Sequence, residues 1–239
     1  MGKRAVILAG GRGTRLKPFT IALPKPLVPI GDKPILEIIV RQLASFGFDH
    51  LTLAVNHQAD IIRAYFGDGA KFGVRIDYSL ETLPLSTMGP LRLIDDLPES
   101  FLVMNGDVLT DLDYGSLLER HEREGNLLSI SAAKREQLID FGVLKVEENG
   151  KLVGFQEKPR SQYLVSMGVY ALSNRIMRYI PEGKPYGFDH LVLDLLEAKE
   201  AVKVYPYTGY WLDIGRPDDY ERAVEDFSNA GIRFLKEAV

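Results

Sequence analysis

Ala5-Val6-Ile7-Leu8-Ala9-Gly10-Gly11-Arg12-Gly13-Thr14-Arg15-Leu16, with Pro24-Lys25-Pro26 close behind, sets what the rest of the chain must be. A short apolar, partly β-branched run reads as a fully buried strand of a parallel sheet. Gly10, Gly11 and Gly13 then stop the strand and open a loop in which main-chain N–H groups stay open to a bulky ligand. Arg12, Arg15, Lys17 and Lys25 surround that loop with positive charge. A glycine-lined turn after a buried strand, ringed by cations, suits a polyphosphate. An ordinary strand-to-loop turn is the competing reading, and the cations weigh against it.

Two familiar phosphate signatures are absent. A Walker loop closes its glycine frame with Lys-Ser or Lys-Thr, and no such pair follows these glycines. The dinucleotide fingerprint begins at Gly11 and Gly13 but meets Leu16 where its third glycine belongs.

The chain of 239 residues has material for one sizeable domain, and 46% apolar with 26% charged residues is an ordinary globular composition. Its net charge of −4 argues against a general nucleic-acid binder and leaves the basic loop as a local device. The lack of cysteine removes disulfides, thiolate catalysis and cysteine–zinc sites, and suits a reducing cytoplasm. No leader is expected before the first strand, and no apolar run approaches the roughly 20 residues that cross a bilayer. The expected partners are therefore small molecules, not nucleic acid or membrane, with a homo-oligomer left open.

Strand and helix signals alternate through the first half. Pro34 opens a helical pattern of Ile35, Leu36, Ile38, Ile39, Leu43 and Phe46, which Gly47 ends. Strands are expected at Leu51–Val55, Val74–Tyr78 and Phe101–Met104, with helices at Asp60–Phe66 and near Leu91–Asp95. This alternation predicts a parallel sheet covered on both faces. The second half is richer in strands, at 127–133, 142–146, 152–157 and 165–172, with Asn149-Gly150 as a hairpin turn. A helical stripe from Phe188 to Leu196 and a strand at Val202–Tyr205 precede Trp211-Leu212-Asp213-Ile214-Gly215. Pro217 then opens a helix whose inner face is Tyr220, Ala223, Val224 and Phe227. The halves divide as 1–125, binding nucleotide, and 126–239, laying mixed sheet over the same cleft.

Ligands of open α/β sheets bind beyond the carboxyl ends of the strands. That rule selects the first loop and Asp107, which follows the apolar run 101–104 through Asn105-Gly106. An aspartate there is a turn or cap residue on the plain reading; beside a cationic glycine loop it becomes a Mg²⁺ ligand, since magnesium favours one or two carboxylates plus phosphate oxygens. Asp213 offers a second carboxylate, provided the fold brings it to Asp107. In Glu157-Lys158-Pro159 the proline holds Lys158 extended, either as a solvated edge residue or with its ammonium toward a phosphate. His50, His57, His121 and His190 lack metal-ligand spacing, and no serine sits in a nucleophile elbow.

The stretch Leu8 to Leu16 with Pro24-Lys25-Pro26-Leu27 resembles the signature of the sugar-1-phosphate nucleotidylyltransferases. The likeness continues at Gly106-Asp107, Glu157-Lys158-Pro159, Gly168-Val169-Tyr170 and Trp211-Leu212-Asp213-Ile214-Gly215, in family order along nearly the whole chain. It implies a Rossmann-like three-layer α/β/α fold with a mostly parallel sheet, and transfer of a nucleotidyl group from an NTP to a sugar 1-phosphate with release of pyrophosphate. By that match Arg15 and Lys25 are catalytic and hold the triphosphate. Leu8, Gly10, Gly11, Gly13, Thr14, Thr87 and Gly89 meet the nucleotide. Gly106, Glu157, Lys158 and Gly168 receive the sugar phosphate, and Asp107 with Asp213 binds Mg²⁺. Ser86-Thr87-Met88-Gly89 stands where relatives acting on mannose or heptose phosphates carry Gly-Thr-Ala-Gly, which leans toward GTP. UTP, CTP and dTTP stay open. No C-terminal β-helix domain is expected after the Phe227 helix. Two other classes compete: a non-catalytic sensor of NDP-sugar, which predicts loss of Lys25, Asp107 or Asp213, all three of which are present, and a dinucleotide oxidoreductase, which is disfavoured by the missing third glycine.

Overall fold

The computed structural model of the chain describes residues 2–11, 13–56 and 58–234; Arg12 and His57 lie outside them. Strand β1 (Lys3–Leu8) has no exposed residue between Arg4 and Ile7. Its side chains alternate as the pleat requires, Ala5 and Ile7 entering one apolar core and Val6 the other. A strand buried on both faces belongs in the middle of a sheet, and β1 pairs in parallel with β2 (Phe48–Val55) on one side. On its other side lies β4 (Ser100–Asn105), also parallel; β3 (Arg75–Leu80) extends the sheet beyond β2.

The second half completes the same sheet. Strands β6 (Leu128–Leu138), β9 (Arg160–Ser173) and β10 (Val202–Tyr207) give the order β10-β6-β9-β4-β1-β2-β3. β9 is antiparallel to both β4 and β6, whereas β10 is parallel to β6. Six strands therefore run one way and β9 alone runs against them. Between β6 and β9 the chain makes a small antiparallel hairpin, β7 (Val143–Val146) and β8 (Leu152–Gln156). A further pair, β5 (Val108–Thr110) and β11 (Trp211–Asp213), lies off the main sheet.

Helices α1 (Ile35–Ser45), α2 (Ala59–Phe66), α3 (Tyr114–Glu124) and α5 (Pro217–Phe234) supply apolar side chains to one core. Helix α4 (Phe188–Glu197) supplies Leu191 and Leu195 to the other. The result is the expected α/β/α sandwich. Three local details differ from expectation. The segment near Leu91–Asp95 is a 3-10 turn at Gly89–Leu93, because Pro90 lacks an N–H and five residues close few hydrogen bonds. Helix α3 was not anticipated, although Asp113 caps it by accepting from the Ser116 N–H at 2.8 Å and Gly125 ends it. Strands β6 and β9 also pair far beyond Ala133 and Val165, out to Leu138 and Arg160.

Candidate active site

The strand-to-loop turn after β1 is held open by close packing rather than by slack. Gly13 takes φ +60°, and a Cβ there would lie 2.8 Å from Lys25 Cβ and 2.9 Å from Thr20 Cγ2. Thr20 Oγ1 donates to the Gly13 carbonyl at 2.7 Å. Lys25 begins a 3-10 turn between two prolines and is buried. Its ammonium donates to Asp107 Oδ2. The other oxygen, Oδ1 of Asp107, is buried without a partner.

Asp213 reaches this spot because β11 pairs with β5: Asp213 stands opposite Val108, and the Ile214 N–H donates to the Asp107 carbonyl at 3.0 Å. Burial, and next the negative charge of Asp107, push the Asp213 carboxyl above the ordinary aspartate value, with Lys25 and Arg15 pulling the other way. A Cβ on Gly215 would lie 3.4 Å from Arg15 Nη2 and 3.6 Å from Asp213 Oδ1. Arg15, Lys25, Asp107 and Asp213 thus form one charged cluster at the carboxyl end of the parallel strands.

Beside it opens a cavity of about 590 Å³ lined by Leu8, Gly10, Gly11, Thr87, Asn105 and Asp107, among others. Gly106 brings β4 against β1: its N–H donates to the Leu8 carbonyl at 2.9 Å, where a side chain would crowd that same oxygen. Thr14 is exposed on the loop next to Arg15. Thr87 Oγ1 accepts from the Phe188 N–H at 2.8 Å and so pins the cavity rim to α4. Gly89 lies behind the wall, buried against Leu85, while its neighbour Pro90 lines the cavity.

Gly168 takes φ +74° at an irregularity in β9, and a Cβ there would lie 2.6 Å from Asn105 Nδ2. It therefore borders the cavity through Asn105. Glu157 and Lys158 stand apart from the cavity lining. Both are exposed at the foot of the β7–β8 hairpin, where Lys158 takes φ +41° instead of the extended backbone expected before Pro159 and pairs with Asp140 at 2.8 Å.

Sequence reasoning missed Glu81 and Asn56, which line the cavity beside Gly10. Glu81 Oε2 accepts from the Leu85 N–H at 3.1 Å, and burial pushes its carboxyl above the usual value. A Cβ on Gly10 would lie 3.0 Å from Glu81 Oε1, so the absence of a side chain at that position leaves room for the carboxylate. Glu81 directly follows β3, and the strand-end rule that selected Asp107 would have found it.

The donor set at Asp107 and Asp213 suits a hard divalent cation: two carboxylates close together, one holding a buried oxygen with no partner. Another group, His50, Asp77 and Asp96, has ligand atoms within 4.8 Å of one another. There Arg4 meets His50 at 2.5 Å and Asp96 at 3.1 Å, and Arg75 pairs with Asp77 at 2.8 Å. Guanidinium groups already supply the positive charge at that cluster.

Residues 4–230 match the family model described as nucleotidyl transferase. The chain is 33% identical over 241 residues to UTP–glucose-1-phosphate uridylyltransferase of Synechocystis sp., covering 92% of this chain and 62% of that relative. It is 34% identical over 226 residues to the mannose-1-phosphate guanylyltransferase catalytic subunit beta of Drosophila pseudoobscura pseudoobscura, covering 92% and 61%. The chain thus spans about three fifths of the length of the curated relatives it matches. Among solved structures, HddC from Yersinia pseudotuberculosis complexed with GMP-PN superposes with a TM-score of 0.71 at 30% identity, covering 95% of this chain and 100% of that one.

Proposed function

The chain belongs to the nucleotidyl transferase family, and from that premise we propose that it transfers a nucleotidyl group from GTP to a mannose- or heptose-type sugar 1-phosphate. The observation that carries the reading is the cluster of Arg15, Lys25, Asp107 and Asp213 beside a cavity that Asp107 and Glu81 both line.

The reaction needs no nucleophilic side chain, because a sugar phosphate is already a nucleophile. Its oxygen attacks the α-phosphorus, the bond to the bridging oxygen breaks, and pyrophosphate leaves with that electron pair. Catalysis is then positioning and charge neutralisation. Arg15 and Lys25 hold the triphosphate and take up charge that shifts onto the departing oxygens. Lys25 is fixed by its prolines and by burial, so it loses little freedom on engaging phosphate. Asp107 and Asp213 would hold Mg²⁺, which supplies further neutralisation of the α-phosphate when bound. On this reading Gly168, whose missing side chain makes way for Asn105, sets that residue at the edge of the sugar site, and Glu157 with Lys158 receives the sugar's hydroxyls and phosphate from the hairpin.

Glu81 supports GTP. A carboxylate offers only acceptors, and guanine alone presents two adjacent donors, N1–H and the 2-amino group, on one edge. Uracil and thymine present a single N–H flanked by carbonyls, which would set oxygen against oxygen. Cytosine and adenine pair one amino group with a ring acceptor. The guanylyltransferase relatives and the neighbour solved with GMP-PN agree with this choice.

Pyrophosphate release measured with Mg²⁺, each of GTP, UTP, CTP and dTTP, and a panel of sugar 1-phosphates tests the reading. GTP with a mannose- or heptose-type phosphate should give the fastest release, and Glu81→Gln should erase at least about tenfold of the preference for GTP. Silence across the panel with NDP-sugar still bound would overturn it in favour of the sensor. The setting we infer is the cytoplasm: cysteine is absent from the sequence, and no helix among the described residues is long and apolar enough to cross a membrane. Association of copies would use the hairpin face on which Leu144, Val146 and Phe155 stand more than half exposed.

A further inference from the structure

We propose that Arg135 binds the end of the sugar remote from the anomeric phosphate, with Trp211 as the platform that aims it; this rests on the transferase reading above. β6 and β4 are both antiparallel to β9 and so run in the same direction. The late residues of β6 therefore emerge at the same end of the sheet as Asn105 and Asp107. Arg135 stands opposite Tyr163 in the β6–β9 ladder, on the same face as Ala133, two residues earlier. Ala133 and Met167 belong to the core against which Trp211 packs.

The Arg135 guanidinium lies over the Trp211 ring, 5.4 Å from its centroid. Trp211 is itself braced: its indole Nε1–H donates to the carbonyl of Met167 at 2.9 Å, the residue before Gly168. Along β11 the intervening Leu212 is buried in the core, so Trp211 and Asp213 share the other face. One wall thus runs from Asp213 through Trp211 to Arg135, with Gly168 beside it. Among the described residues no carboxylate pairs with Arg135, whereas nearby Lys158 pairs with Asp140 and Arg160 with Glu136.

The contact with Trp211 decides what Arg135 meets. β9 lies between β6 and β4 in the sheet, and Arg135 reaches across to Trp211 from the β6 side. With the Trp211 ring between it and Asp213 on the same wall, the Arg135 guanidinium is set to meet the sugar attached to a phosphate at Asp107 and Asp213 rather than that phosphate itself. A guanidinium lying flat on an indole keeps its fork of donors fixed, which suits a pair of adjacent hydroxyl oxygens. The residue would discriminate among sugars while leaving the nucleotide end untouched.

The test takes the NTP and sugar 1-phosphate giving the fastest pyrophosphate release and compares wild type with Arg135→Ala and Arg135→Lys. Arg135→Ala should raise KM for the sugar phosphate about tenfold, and leave KM for the nucleotide, kcat and the melting temperature essentially unchanged. Lysine should not restore the wild-type value, because an ammonium lacks the planar fork. Sugar 1-phosphates lacking one distal hydroxyl should be discriminated by wild type and not by Arg135→Ala. An unchanged sugar KM, or equal rises in both KM values, would overturn the proposal. If no pair turns over, the transferase reading fails separately. Equilibrium binding of mannose 1-phosphate to wild type and Arg135→Ala then decides the role of Arg135, and equal or absent binding overturns it.

Discussion

A buried carboxylate oxygen without a partner costs on the order of 1–3 kcal/mol, and Asp107 carries one. On the proposed reading that oxygen is kept for a metal ion. Asp107→Asn should reduce turnover at least about a hundredfold while the circular dichroism spectrum and melting temperature stay near wild type. Near-normal activity with Mg²⁺ supplied would remove Asp107 from the metal site. Asp213 makes a complementary case. Its carboxyl is raised by burial and by Asp107, so the folded state holds its proton more tightly than the unfolded chain. The stabilisation this gives is present below the unfolded value and is lost as pH rises through the folded one. At neutral pH Asp213 therefore burdens the fold, and Asp213→Asn should raise the melting temperature while cutting turnover. A lower melting temperature would show that the carboxylate is structurally satisfied. The glycine loop, Asp107 and Asp213 were visible as candidates, because each sits at a strand end whose apolar run is local in sequence. Their meeting was not legible, since it depends on the pairing of Asp213 with Val108 across a long separation. Glu81 was overlooked because the sequence pattern ends the strand before it at Tyr78, whereas that strand runs to Leu80 and leaves Glu81 at its end.

Helix α3 shows how an element can escape notice while its parts are visible. Tyr114, Leu117, Leu118 and His121 recur at helical spacing and are all buried, yet the helix is rich in charge on its outer face. His121 turns inward, its Nδ1 2.9 Å from Ser129 Oγ on β6 and its Nε2 buried without a partner. Burial, and then the charge of Arg175, pull its pKa down to about 4. Folding thus requires the neutral ring. That contribution is intact above the unfolded value near 6.5 and is lost as pH falls through the folded value. The melting temperature should drop between pH 6.5 and 4, and His121→Asn should flatten that part of the profile. An identical slope in the variant would assign the acid sensitivity elsewhere. The Gly168 irregularity is harder to read: a glycine within a strand signals a break, but nothing local reveals that Asn105 occupies the space a side chain would need. Gly168→Ala should cost roughly 1–2 kcal/mol in denaturant unfolding, for strain at positive φ and the clash with Asn105.

Across the molecule, the alternation of the first half was enough to foresee the parallel sheet, and the strand-rich second half enough to foresee a mixed one. The order of strands was not, because β9 inserts between β4 and β6 and thereby stitches the two halves into one sheet. No boundary near residue 125 interrupts that hydrogen bonding. The chain should accordingly unfold as one unit, with the fluorescence of its sole tryptophan, Trp211, and the far-ultraviolet dichroism sharing one denaturant midpoint. Two separated midpoints would mean that the halves fold independently. The reversed direction of β9 also has a topological result. β6 leaves the sheet at the ligand end and β9 returns at that same end, where the Ile139 N–H meets the Pro159 carbonyl at 3.1 Å. Everything from 140 to 158 is leashed at both ends to the rim of the cleft. Glu157 and Lys158 are therefore held near that rim by a few residues of tether, which on the proposed reading makes their encounter with a bound sugar phosphate an intramolecular event.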